Sequence, residues 1–353
     1  MENDLFITGE SYAGIYVPTL AEAMLKAEKD GNYKGARLTG IAVGNGCTGN
    51  AIGICGFGTQ GLYYEWKYLL NTAFVSEDLK VSIHAACDWR AAAANKKDPL
   101  SVKCLNLLDE AASKIGHINL YNVYGDCEGT GPSSYCTKYD KQYPLSNMNK
   151  VRRAKIPMHA LEEEHEESPN PTHGLRALSP RAVDHMFRRT LQGPDACIDS
   201  EAASAYLNRA DVMKAIHVRD PGFCWEVCAS APGWSYRSTR PNLPADTYPF
   251  LISNIAVLIF NGDWDACVPY TDNEAWTEDM GFTVKDPWHP WTYTSTSGKS
   301  NQVGGYAVSY DVSKLGSGSF QFVTVRGGRH EVPGSAPAQA LELLRRLLTK
   351  TPF

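Results

Sequence analysis

The chain has 353 residues, a formal net charge of −5 and a pI near 6.0. Hydrophobic residues make up 43% and charged residues 21% of it, the balance of a folded globular protein that buries a sizeable core. The mildly acidic balance argues against a nucleic-acid partner, and no apolar stretch approaches the roughly 20 residues that span a bilayer, so neither nucleic acid nor membrane is expected to engage the chain.

The first element is the most informative. Leu5-Phe6-Ile7-Thr8 reads as a strand, and Ile15 to Leu25 as an apolar-periodic helix. Between them lies Gly9-Glu10-Ser11-Tyr12-Ala13-Gly14, with small residues on both sides of a serine. A strand, a tight turn and a helix in that order form the context a nucleophile elbow needs. The Tyr12 N–H then sits at a helix N-terminus, where the backbone dipole favours developing negative charge. The plain alternative is a glycine-rich turn with a surface serine.

Ala36 to Gly46 reads as a buried strand closed by glycines, and Cys47 and Cys55 bracket a glycine-rich loop in which they can pair locally. Residues 56–120 read as helical. Ser76-Glu77-Asp78 suits a helix start, and Leu100 to Ile115 recurs at helical spacing after the Asp98-Pro99 break. Cys87 and Cys104 fall on successive helices, so a bridge between them staples a helical hairpin. Residues 141–195 are polar and irregular, with a basic patch at Lys150–Lys155 and an acidic run at Glu162–Glu167. His159 and His165 with those glutamates lack the i, i+4 pairing of a helical zinc site, so no metal is expected.

Glu201 to His217 reads as one helix. Val257-Leu258-Ile259-Phe260 reads as a buried strand that runs into Asn261-Gly262-Asp263-Trp264-Asp265-Ala266-Cys267-Val268-Pro269. Pro287–Lys299 suits strands joined by turns. Phe320 to Val325 reads as a further strand, and it runs into Arg326-Gly327-Gly328-Arg329-His330-Glu331-Val332-Pro333. Ser335 is placed to cap the last helix, and Leu341, Leu344, Leu347 and Leu348 form a stripe to pack on the sheet. Two strands thus end in loops carrying a carboxylate and an imidazole, and the chain order is Ser, Asp, His, as in α/β-hydrolases.

The segment Gly9-Glu10-Ser11-Tyr12-Ala13-Gly14-Ile15-Tyr16-Val17-Pro18 resembles the serine carboxypeptidase family, which includes lysosomal and vacuolar enzymes. Asn261-Gly262-Asp263-x-Asp265 resembles its aspartate loop and Gly327 to Pro333 its histidine loop. Tyr206-Leu207-Asn208 with Val212-x-Lys214-Ala215 is similar to a further family segment. The resemblance implies an α/β-hydrolase fold whose core is residues 1–46 and 200–353, with a helical cap insertion at 47–199 that contains the loop 141–195, a segment often excised in the family. It also implies Cys87–Cys104 and Cys127–Cys197 disulfides.

The implied activity is release of residues from peptide or protein C-termini, without metal or organic cofactor. Ser11 is the nucleophile, His330 the base and Asp265 its orienting acid, with Asp263 as a turn residue bonded to its own loop. Tyr12 supplies an oxyanion-hole N–H. Glu10, in protonated form, recognises the substrate carboxylate, which leads to an expected acidic pH optimum. The alternatives are an acyltransferase on the same triad and an inactive relative acting as a binding or protective protein. A homodimer, and a lysosomal, vacuolar or secreted location, fit the family.

Three departures stand out. The family usually has Gly-Ala-Gly before the histidine, whereas Arg329 precedes His330 here and is expected to lower the imidazole's pKa. The family's upstream loop, source of a second oxyanion N–H, has no counterpart before Ser11, and losing one such donor costs about 2.7–4 kcal/mol in the barrier. Only one strand precedes the elbow, so N-terminal strands of the fold are expected to be missing from this sequence, the alternative being a genuinely short relative. The family partner of Cys228 belongs to that upstream region, so Cys228 is expected to be free or re-paired, with Cys224 as a candidate.

Overall fold

A computed structural model describes residues 3–56, 58–96, 100–127, 197, 201–219, 224–225 and 239–353. The basic patch, the acidic run, His159, His165 and Cys228 lie outside these residues.

Six strands form one mixed sheet in the order β1-β2-β3-β6-β5-β4. The strands are β1 (Asp4–Glu10), β2 (Arg37–Gly44), β3 (Ala256–Gly262), β4 (Thr283–Tyr293), β5 (Gln302–Asp311) and β6 (Ser319–Val325). β1, β2, β3 and β6 pair in parallel, while β4 and β5 add an antiparallel edge. The apolar runs at 257–260 and 320–325 are continuous because both faces of the sheet are covered. On one face Ile41, Val43, Val257, Ile259, Phe320 and Phe322 meet Ile15, Val17 and Ala21 of α1 (Ala13–Lys29). Leu243 of α8 (Leu243–Asp246) and Leu251 and Ile252 of α9 (Tyr248–Asn254) complete that layer. On the other face, Ala42, Leu258, Val323 and Val325 meet the last helix, α12 (Pro337–Thr349).

A separate cluster is built by α2 (Thr59–Leu70), α3 (Glu77–Ala86), α4 (Trp89–Ala93) and α5 (Val102–Ile115) around Trp66, Leu69, Ile83 and Leu108. Ala266 of the aspartate loop is buried in this same cluster, so the helical layer rests directly on the loop that carries Asp265. A disulfide joins Cys87, just after α3, to Cys104 of α5, and two more join Cys127 to Cys197 and Cys47 to Cys55. Cys224 is also disulfide-bonded. Ser76 stands at the start of α3 with Glu77 and Asp78 in its first turn, although its side chain makes no cap hydrogen bond. Ser101 does cap α5, accepting from the Cys104 N–H.

Three expectations need correction. The segment read as one helix from Glu201 to His217 is two, α6 (Glu201–Leu207) and α7 (Ala210–Ala215). The Asn208 side chain there bonds the backbone N–H and carbonyl of Trp225, which competes with a continuous helix. Ser335 does not cap α12. It ends the short α11 (Val332–Ser335), and its hydroxyl accepts from the Arg329 N–H at 2.9 Å. The leucine stripe does not face the sheet as a whole: Leu341, Leu344 and Leu348 are exposed, and the residues packed there are Ala336, Ala340, Leu343 and Leu347. That set has the i, i+4, i+7, i+11 spacing of a helix face, with alanines completing it.

Candidate active site

Ser11 occupies the β1–α1 turn at φ 61°, a left-handed backbone that a non-glycine residue adopts only when its surroundings enforce it. The enforcement is visible. The Ser11 N–H donates to the Gly44 carbonyl at 3.0 Å, and the Ser11 carbonyl accepts from Gly14 and Cys47 at 2.9 and 3.0 Å. The packing leaves no room for larger neighbours: a Cβ on Gly9 would lie 2.6 Å from that of Ala13, and one on Gly14 would strike the Cys47 backbone. Tyr12 is the N-cap of the 17-residue α1, at the positive end of its dipole. Its phenol accepts from the Asn50 amide at 2.7 Å.

The carboxylate and the imidazole come together as the chain order suggested. His330 Nδ1 lies 2.7 Å from Asp265 Oδ2, and both residues are buried. Asp265 has no exposed surface and accepts further from the Asn45 amide at 2.7 Å and from the backbone N–H groups of Cys267 and Val268 at 2.9 and 3.2 Å. With every partner a donor, the side chain is held as an acceptor, which makes Nδ1 of His330 the protonated nitrogen and leaves Nε2 as the basic one. Nε2 is buried and makes no hydrogen bond among the described residues, the Ser11 hydroxyl included. Catalytic hydrogen bonds often close only when substrate is bound.

Burial alone pushes the His330 pKa down, but the hydrogen bond and charge of Asp265, joined by Glu331 and Glu10, outweigh it and the net direction is up. The expected depression by Arg329 is therefore not found. The leading charges on the imidazole are those of Asp265, Glu331 and Glu10, all negative, and the Arg329 guanidinium lies 3.6 Å from Glu331. Glu10, the last residue of β1, has a raised pKa, first because burial disfavours its charge and then because Glu331 and Asp265 repel it; the imidazole and Arg329 act the other way. Glu10 and the Asp265–His330 pair thus influence one another's charge.

Asp263 does more than serve its own turn. Its carboxylate accepts from the Gly327 N–H at 2.7 Å and so ties the aspartate loop to the histidine loop, while burial raises its pKa to about 6. The two loops touch so closely that a Cβ on Gly262 would collide with the carbonyls of Gly328 and Arg329.

Sequence reasoning missed a strap at residues 119–123. The Leu120 carbonyl accepts from Ala266 and Cys267 at 2.8 and 3.0 Å, the Val123 N–H donates to the Trp264 carbonyl, and the Tyr121 carbonyl accepts from the His330 N–H at 2.9 Å. The Tyr121 ring also meets the imidazole edge-on at 4.9 Å. Asn119 shapes this segment, accepting from the Tyr121 N–H and donating to the Cys197 carbonyl. Most of this grip is made by carbonyls, which carry no residue-type signature.

The arrangement provides a strained serine at an elbow, a buried Asp–His pair and a carboxyl with a raised pKa, all borne on loops or strand ends of the parallel part of the sheet. A sequence profile described as serine carboxypeptidase matches residues 1–350. Serine carboxypeptidase-like 21 of Arabidopsis thaliana is 30% identical over 98% of this chain and 65% of its own length. Serine carboxypeptidase 1 of Hordeum vulgare is 27% identical over 99% of the chain and 64% of its own length. The chain thus spans somewhat less than two thirds of these relatives. A solved prohormone-processing carboxypeptidase from Saccharomyces cerevisiae shares the fold at a TM-score of 0.52 and 18% identity, over 99% of this chain and 62% of that one.

Proposed function

The chain belongs to the serine carboxypeptidase family, and from that premise we propose that it is a serine-type carboxypeptidase acting through Ser11, His330 and Asp265. The observation that supports the reading is the buried 2.7 Å Asp265–His330 pair, which leaves Nε2 unengaged, in a chain whose serine elbow holds Ser11 at positive φ.

In the proposed cycle the Ser11 oxygen attacks the scissile carbonyl while His330 Nε2 takes the hydroxyl proton. The Tyr12 N–H donates to the oxyanion. The imidazolium, stabilised by Asp265, returns the proton to the departing amine, and an acyl-enzyme remains. Water then adds to the acyl carbonyl with His330 again as base, and Ser11 leaves with its proton restored. The role assigned to Glu10 is to donate from its protonated form to the terminal carboxylate of the substrate. Its raised pKa supports this role, because the carboxyl keeps its proton further up the pH scale than an ordinary glutamate. The three disulfides among the described residues support an oxidising compartment, lysosomal, vacuolar or extracellular, which fractionation of the native source tests.

The decisive assay uses a blocked dipeptide and its C-terminal amide, each with and without an alcohol acceptor. Release of the terminal amino acid from the free acid, lost in Ser11→Ala, is the expected result. Preference for the amide refutes C-terminal recognition, and accumulation of ester in place of acid identifies acyl transfer. No turnover together with no labelling of Ser11 by a fluorophosphonate leaves only a binding role.

A further inference from the structure

Ser11 and Asp265 lie 254 positions apart in sequence, yet their separation in space sets whether His330 can serve both. The turn after β2, residues 44–47, governs that separation. Among the described residues it carries the backbone bonds that hold Ser11 from outside its own helix: the Gly44 carbonyl takes the Ser11 N–H and the Cys47 N–H meets the Ser11 carbonyl. Inside that turn, Asn45 is fully buried at φ 41°. Its Nδ2 donates to Asp265 Oδ2 at 2.7 Å and to the Val268 carbonyl at 3.3 Å. Its Oδ1 accepts from the Gly262 N–H at 3.0 Å, and its own N–H donates to the Phe260 carbonyl at 2.9 Å. The side chain is therefore bonded at both ends of the aspartate loop, while its backbone belongs to the turn that seats the nucleophile.

We infer that Asn45 is a positioning residue for the triad: its amide sets the distance from the serine elbow to the Asp265 carboxylate, and so fixes the imidazole between them. The residue type is dictated by the contacts. A carboxylate and a carbonyl face one end of the side chain and require a donor; a backbone N–H faces the other and requires an acceptor. Asparagine supplies both within one short side chain and also tolerates the left-handed backbone, which most residues resist. Aspartate has no donor when ionised, and leucine has neither function. The Cys47–Cys55 bridge, two residues on, closes the same turn onto the following segment.

The inference rests on the triad reading, but not on the substrate, so its test reads Ser11 directly. Wild-type protein, Asn45→Gly, Asn45→Asp and a Ser11→Ala blank are treated with a fluorophosphonate across pH, and the adduct on Ser11 is followed by peptide mapping. Glycine keeps the backbone conformation and removes the amide, so Asn45→Gly is expected to label roughly tenfold or more slowly at every pH, as befits loss of a buried hydrogen bond to a charged group. Asn45→Asp has a distinct signature. It faces Asp265 and, beyond it, His330; Glu10, Glu331 and Tyr68 are electrostatically linked to that pair, Asp263 stands two residues from Asp265 in the same loop with its own pKa raised to about 6, and Arg329 is a nearby cation.

Two carboxyls at hydrogen-bond distance share one proton in acid, and that proton restores a donor to Asp265 Oδ2. Labelling is then expected to approach the wild-type rate at about pH 4.5, and its ratio to wild type to fall roughly tenfold by about pH 8, once the shared proton is lost and the carboxylates repel. A ratio that stays flat with pH, or two variants within about twofold of wild type throughout, overturns the positioning role. Should Asn45→Gly fail to fold by near-ultraviolet circular dichroism, the ratio for the near-isosteric Asn45→Asp decides alone. Absence of labelling in the wild-type protein overturns the triad itself and this inference with it. Labelling without release of C-terminal residues overturns only the proposed substrate.

Discussion

Replacing Glu10 by glutamine removes a titratable proton and a negative charge while keeping a hydrogen-bond donor in place. The carboxyl has a raised pKa and is electrostatically linked to His330, so the substitution acts in two ways. First, wild-type recognition of a substrate carboxylate is lost as pH rises through the Glu10 pKa, because the ionised form cannot donate and repels the ligand. Glutamine cannot ionise, so the alkaline limb of kcat/KM flattens for a free-acid substrate. Second, Glu10 helps to raise the His330 pKa, and without its charge the imidazolium is less stabilised. The base is then free at lower pH, and the acid limb moves down. Glu10 is partly exposed, so solvent screens this second effect and the displacement of the acid limb is the smaller of the two changes.

Glu10→Ala lacks the donor altogether. A hydrogen bond to a charged group contributes about 1.5–3 kcal/mol, so alanine is expected to raise KM roughly ten- to a hundredfold with kcat less affected. The assay is kcat/KM against pH for a blocked dipeptide and its amide with wild type, Glu10→Gln and Glu10→Ala. An unchanged alkaline limb in Glu10→Gln, together with an unchanged acid-to-amide preference in Glu10→Ala, would refute the assignment.

Asp265→Asn keeps the shape of a group held by four donors but reverses the demand on His330 Nδ1. It is expected to lower kcat about 10³–10⁴-fold while substrate binding persists, and wild-type turnover per labelled site would exclude the proposed role. Gly14→Ala forces a methyl into the Cys47 backbone, so it should cost about 1–3 kcal/mol in denaturant unfolding; an unchanged midpoint contradicts the packing described. Asp272, buried near the start of α10 (Tyr270–Asp279) and bonded by the Ile54 N–H, has its pKa raised by burial to about 7. Because the folded value lies above the unfolded one, the unfolded state sheds this proton first. The contribution to stability is whole below about pH 4 and is lost as pH rises towards 7. Asp272→Asn should therefore raise Tm relative to wild type by about 2 °C or more at neutral pH and little near pH 4; the opposite trend rejects the sign.

The elbow was legible because it is a local steric demand written in small residues around Ser11. The strand-end loops were legible because buried parallel strands leave continuous apolar runs, and the residues just after such runs lie at the sheet's rim. Asp263 was placed in the right loop but given too small a part, since its bond to Gly327 joins segments 64 residues apart. The same blindness to distance hid the strap at 119–123. Asn45 did carry a signal: an asparagine between two glycines at the end of a buried strand suits a left-handed backbone and has few reasons to be buried unless its amide is used. The α12 leucines misled because side-chain size was weighed above position, and the smaller Ala336 and Ala340 in fact complete the buried face.

The strap has a consequence for attempts to alter selectivity by exchanging the helical layer with that of a relative. Leu120, Tyr121 and Val123 come after α5 in sequence, but their main chain is the seat on which the carboxylate and imidazole loops rest. A graft that runs on past residue 123 would carry foreign footing under both loops and should forfeit turnover before it shifts preference. A graft that ends between α5 and residue 119 leaves that footing native, and lets the helices vary above an undisturbed Asp–His pair.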